Sequence, residues 1–212
     1  MTEQLRGNEE WVDGFLFVGN RLILDFLNTK PVLAHGPTEF LADAHALERW
    51  LIAAGVVTLP RHKALLRSWR NAAGTTTFLR QLIEFRERLR AAILRIEKGL
   101  LPASSLVAEV NALAEQYPMH TLLREQNSKL VRDTTFDLRK PEDLWAPIVD
   151  AAADLLSEAE MSRVRQCESC VVHFLDTSRK GSRRWCSMNI CGNRLKVAAY
   201  QRRQRSVGVV RD

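Results

Sequence analysis

The sequence lacks the marks of a membrane protein, a secreted protein or a common motif-bearing enzyme. No apolar run approaches the roughly 20 residues needed to span a bilayer. The opening MTEQLRGNEEW is polar and acidic, unlike the apolar stretch of a secretory signal. The expectation is a cytoplasmic protein with no membrane partner, its thiols kept reduced. Glycine and proline are scarce, at 10 and 7 of 212 residues, and there is no internal repeat or low-complexity linker. With 46% hydrophobic and 26% charged residues, the chain is long enough for one medium domain, or for one domain plus a small appendage. No phosphate-cradling glycine loop or Gly-x-Ser-x-Gly elbow is found, and His35, His45, His62 and His120 are scattered, without an HExxH pairing. No enzymatic activity is expected.

What is present is unevenly spread. Residues 1–160 carry 19 Lys+Arg against 22 Asp+Glu, whereas residues 161–212 carry 12 against 3, a net charge of +9. All four cysteines lie in that basic tail. Two units with different partners are expected, at 1–160 and 161–212.

Hydrophobic periodicity predicts a mainly α first unit. Gly14–Gly19 reads as a short strand, followed by a short helix or buried strand over residues 21–28 with Asn20 as its cap. Thr38 is the expected N-cap of a helix carrying Phe40, Leu41, Leu47, Trp50 and Leu51, which Gly55 ends. Pro60 opens the next helix. The longest runs from about Thr76 to Lys98, with Glu84–Arg88 as a favourable pair on its exposed side. Pro102 starts another, Asn127-Ser128 turns a β-hairpin, and a last helix covers about Pro141 to Glu160. Asp25 and Asn28, three apart in an apolar run, form a candidate ligand pocket, though a satisfied structural network is the commoner use of such a pair.

The tail reads C-x2-C-x15-C-x4-C through Cys167, Cys170, Cys186 and Cys191. Four thiolates suit one structural, tetrahedral zinc ion. Metal binding also supplies the folding free energy that about fifty residues with few large apolar side chains lack. A redox Cys-x-x-Cys needs a βαβ setting that is not visible, and disulfides need an oxidising compartment. His173 alternates with Val172 and Phe174 and reads as an exposed strand histidine.

Cys191-Gly192-Asn193-Arg194, preceded by Arg183-Arg184-Trp185-Cys186-Ser187-Met188, resembles the CGNR zinc-finger family of bacterial proteins. Phe174-Leu175-Asp176-Thr177-Ser178 is similar to that family's second strand and turn. Phe17-Val18-Gly19-Asn20-Arg21-Leu22, with Leu24-Asp25-Phe26-Leu27-Asn28-Thr29, resembles the opening of the ABATE domain that accompanies this finger. One departure is the spacing of the first cysteine pair, two residues where members often have four. The resemblance implies a transcription regulator: a multihelical domain with a small hairpin, then a small ββα-type, treble-clef- or ribbon-like zinc module.

The tail's basic residues point to nucleic acid, with DNA ahead of RNA. Arginine outnumbers lysine there ten to two, and guanidinium forks suit phosphate and guanine edges. Arg179, Lys180, Arg183, Arg184, Arg194, Arg202 and Arg205 are the candidate contacts, the last three on an expected helix from about Asn189. Asn193 and Arg194 have a competing role, hydrogen-bonding around the thiolates. Trp185 reads as the module's core residue rather than a base-stacking one. A small-molecule or protein effector is expected at the helical unit, and docking of the finger onto an acidic protein is the rival to nucleic-acid binding.

Overall fold

The computed structural model describes residues 10–33, 36–157, 159–193 and 197. Two short antiparallel hairpins frame the first helix: β1 (Trp11–Val12) with β2 (Phe15–Leu16), and β3 (Val32–Leu33) with β4 (Gly36–Pro37). Between them lies α1 (Leu22–Leu27), whose residues from Ile23 to Leu27 are all buried. The helical option for this stretch therefore holds. Asn20 does not cap it: its backbone is left-handed at φ 61 and its side chain reaches elsewhere, and Arg21 occupies the N-cap position, its side chain donating back to Asn20 O rather than capping the helix.

The helical body follows as α2 (Ala44–Ala53), α3 (Pro60–Trp69), α4 (Ala73–Ile96), α5 (Ser104–Gln116) and α6 (Trp145–Ser157). Asp43, rather than Thr38, caps α2, its carboxylate accepting the Ala46 N–H at 2.7 Å. Thr38 lies in extended chain that Phe40 and Leu41 anchor to the core. Gly55 ends that helical turn at φ +74, where a side chain would be strained. Pro60 occupies the first turn of α3, where its missing N–H costs nothing. Pro102 precedes α5 by two residues of extended chain, and a 3-10 turn at Pro141–Leu144 leads into α6. Arg88 turns away from its own helix and forks onto Glu109 of α5 at 2.8 and 2.5 Å. Tertiary pairing thus wins over the expected pair with Glu84.

Phe78, Leu82, Phe85, Leu89 and Ile93 of α4 pack with Ile148, Val149 and Leu155 of α6 and with all of buried α1. Trp145 meets Phe78 and Phe85 edge-on at 5.5 and 5.3 Å between ring centres. The hairpin β5 (His120–Gln126) with β6 (Lys129–Thr135) turns at Asn127 and Ser128, both left-handed as a two-residue hairpin turn requires. Among the described residues no helix is long and apolar enough to cross a membrane.

The last hairpin pairs β7 (Val164–Gln166) with β8 (His173–Leu175). Val164 and Leu175 pack into the helical core, whereas Leu16 and Val18 leave it and join Val172, Phe174 and three of the cysteines in a second apolar cluster. Each end of the chain thus contributes side chains to the other's core.

Candidate metal centre

The first ligand pair sits on the tight turn joining β7 to β8. The Cys167 N–H donates to Val172 O at 2.8 Å, and the Val171 N–H returns to Cys167 O at 3.1 Å. This closure forces Val171 into the left-handed region at φ 55, a strained position for a β-branched residue. The second pair follows a loop pinned by Asp176. Its buried carboxylate accepts the Ser178 N–H at 2.9 Å and the Arg183 N–H at 2.8 Å. Burial opposes that charge, but the bonds from Ser178 and Arg183 and the nearby Arg163 outweigh it and hold the group below its usual pKa.

Cys191 is presented by a π-helical turn, Met188–Gly192, capped by Ser187. The Ser187 hydroxyl oxygen accepts the Asn189 and Ile190 N–H groups at 2.9 and 3.3 Å, and the hydroxyl itself donates to the Glu10 carboxylate.

These two loops bring the four sulfurs within 4.8 Å of one another, with Cys170 and Cys186 at 3.5 Å. A tetrahedral zinc with bonds of about 2.3 Å requires sulfurs roughly 3.8 Å apart, so the cluster fits one ion. The thiols also show why a cation belongs there. Hydrogen bonds from Cys170 and Cys186 pull the Cys167 pKa far below its ordinary value, while the contact with Cys167 pushes those two thiols up, Cys170 to about 12. A dication bound among these sulfurs would deprotonate the thiols and let four thiolates share the space. Cys167, Cys186 and Cys191 are buried and Cys170 half-buried, and four protein ligands leave no open coordination position. The site is structural.

Around the centre, Arg184 forks onto Glu168 at 2.7 and 2.5 Å and lies over the Trp185 ring at 5.3 Å. Arg183 donates to Trp185 O at 2.8 Å and covers Phe174 at 4.6 Å. Arg179 and Lys180 lie exposed on the loop between the ligand pairs. Trp185, half-buried, packs against the cysteine cluster. Asn193 ends the π turn, its N–H donating to Met188 O, with the residue exposed. Arg194, Arg202 and Arg205, with most of the expected C-terminal helix, lie outside the described residues.

His173 is not exposed. It is buried to 1% accessibility because β8 is covered on both faces, by the cysteine cluster and by α1. Burial, and then the charge of Arg90, lower its pKa to about 4. It is neutral at pH 7, so its 3.5 Å contact with Glu97 is not an ion pair.

Asp25 and Asn28 are buried and engaged. The Gly19 N–H donates to Asp25 Oδ1 at 2.8 Å, and Asn28 bonds to the backbone of His173. Neither lines the open cleft of about 350 Å³ that Tyr117, His120, Arg139 and Lys140 border at another part of the fold. The first hairpin's contribution to the metal centre was the feature missed in the sequence. Asp13-Gly14, both left-handed, was the signal that could have revealed that hairpin.

Two family models match the chain. ABATE, described as "Putative stress-induced transcription regulator", covers residues 20–159, and the CGNR zinc finger covers residues 163–204. No curated protein matches.

Proposed function

Because the chain belongs to the ABATE family and carries a CGNR zinc finger, we propose that it is a cytoplasmic transcription regulator whose finger binds nucleic acid, DNA in preference to RNA, under control of an effector held by the helical domain. The observation that carries this reading is electrostatic. Residues 161–212 have a net charge of +9 beside an otherwise slightly acidic chain, and Arg179 and Lys180 project from the loop between the zinc-ligand pairs. The phosphate backbone of nucleic acid, with its condensed counterions to release, is the natural complement of such a surface. A zinc ion held by Cys167, Cys170, Cys186 and Cys191 would fix the loop in shape rather than take part in a reaction, since four thiolates would fill its coordination sphere. Arg184 would add to the surface by exchanging Glu168 for a phosphate, as both side chains are about half exposed.

The test is binding of the zinc-loaded full chain to random duplex DNA and to RNA across a salt series. The expected result is an affinity falling steeply with salt. Replacing Arg179 and Lys180 together by Ala should lower the logarithmic slope by about 2, and Cys186→Ser should abolish binding with loss of zinc. A zinc-loaded protein that binds neither nucleic acid at low salt overturns the reading and leaves the finger as a protein-docking module.

A further inference from the structure

We propose that Asn28 is a positioning residue of the zinc centre, and that the segment Gly19–Asn28 of the helical domain is a structural part of the finger. The inference rests on the zinc reading and is independent of nucleic-acid binding.

The argument begins with the outer edge of β8. Strand β7 pairs with one edge only, which leaves the outward backbone groups of His173 and Leu175 to be satisfied inside the protein. The N-terminal segment satisfies all four. Asn28 Nδ2 donates to His173 O at 2.8 Å, and His173 N donates to Asn28 Oδ1 at 2.9 Å. Leu175 N donates to Gly19 O at 2.9 Å, and Asn20 Nδ2 donates to Leu175 O at 2.8 Å. One asparagine amide thus mimics a β-strand partner at His173, and a second completes the match at Leu175.

The segment is shaped for this. Asn20 adopts a left-handed backbone, and Gly19 is locked by its bond to Asp25. A Cβ on Gly19 would stand 2.7 Å from Leu24 Cβ and 2.8 Å from Asp25 N, so only glycine fits.

The link from Asn28 to the metal is short. His173 follows Val172, whose carbonyl accepts the Cys167 N–H and closes the turn carrying Cys167 and Cys170. The same N-terminal region reaches the second ligand pair, where Glu10 accepts from Ser187, the cap of the turn bearing Cys191. Leu16 and Val18 pack beside Cys167, Cys186 and Cys191. Among the described residues the His173 ring makes no hydrogen bond, so the backbone clamp rather than the imidazole fixes the strand.

The experiment measures transfer of zinc from the full chain to a chromogenic chelator under native conditions. Asn28→Ala is expected to speed transfer about tenfold or more, as two buried hydrogen bonds are lost. Asn28→Asp should act in the same direction, since its second oxygen meets the His173 carbonyl without a proton to donate. Leu66→Ala, buried in α3, which packs on α2 rather than on α1 or β8, is the destabilised control and should release zinc at the wild-type rate. Transfer from Asn28→Ala at the wild-type rate overturns the inference, as does equal acceleration in Leu66→Ala. If Asn28→Ala does not fold, amide exchange of the wild-type chain serves instead: chelating zinc should expose the amides of residues 19–28, and unchanged protection there overturns the inference. Wild-type protein isolated without zinc would overturn the metal reading itself, a separate outcome.

Discussion

Arg86 of α4 is fully buried and forks onto Glu39, its Nη1 donating to Glu39 Oε1 at 2.8 Å and its Nη2 to Oε2 at 2.5 Å. Nη1 also donates to Thr29 Oγ1 at 2.8 Å, directly after the clamp residue Asn28. The two partners are not equivalent, because the Glu39 side chain remains about 30% exposed while Arg86 is sealed in. Glu39→Ala should cost about 2 kcal/mol, because it leaves the buried guanidinium with Glu87, 3.0 Å away, as its remaining carboxylate partner. Arg86→Met should cost less, since Glu39 regains water and an apolar chain fills the space. Urea unfolding of both variants checks the order, and a larger loss for Arg86→Met would refute it.

Two glycines make opposite predictions. At Gly19 an added Cβ meets a side-chain Cβ and a backbone nitrogen, so Gly19→Ala should cost about 2 kcal/mol. At Gly192 the nearest atom is the sulfur of Met188, 2.6 Å away at the end of a flexible side chain. Met188 is 44% exposed and has room to turn aside. Gly192→Ala should therefore cost less than about 1 kcal/mol and retain zinc, as thermal melts with metal analysis would reveal.

Val171 is the strained residue of the metal-binding turn. Val171→Gly removes the left-handed penalty and should stabilise the zinc-loaded protein by about 1 kcal/mol, less the backbone freedom that glycine gains when unfolded. A lower melting temperature for this variant would show that its side chain, 40% exposed, packs to greater effect than its backbone strains.

The buried imidazole sets a pH dependence. His173 titrates near 4 when folded and near its ordinary 6.5 when unfolded, so between these values the unfolded chain binds the extra proton. Stability from this group is complete above about pH 6.5 and is lost as pH falls toward 4, by up to about 3 kcal/mol. His173→Leu should flatten that part of the curve. Subtracting variant from wild-type stability across pH 4–7.5 separates the histidine from thiolate protonation, which both proteins share. Parallel curves would mean that His173 is already satisfied when charged.

The metal ligands were legible because the chemistry is local: four sulfurs need only two short loops, and sequence spacing records both. Helices with a strong apolar stripe, such as α4, were legible for the same reason. His173 was misread because alternation in β8 implies an open face, and only α1, 145 residues away in the chain, closes it. Asn20 has the chemistry of a helix cap and uses it on a distant strand instead. Asp25 and Asn28 stood out as polar residues in an apolar run, but nothing nearby in sequence names their partners.

The clamp also imposes an order on the birth of the protein. Asn28 is made 145 residues before His173, which at 5–20 residues per second is a wait of roughly seven to thirty seconds. Through that interval a nascent chain holds α1 with one side unmatched, and a premature stop before β8 leaves it so permanently. Truncated products should therefore be recognised by chaperones and proteases as unfinished even when every helix of the body has been synthesised.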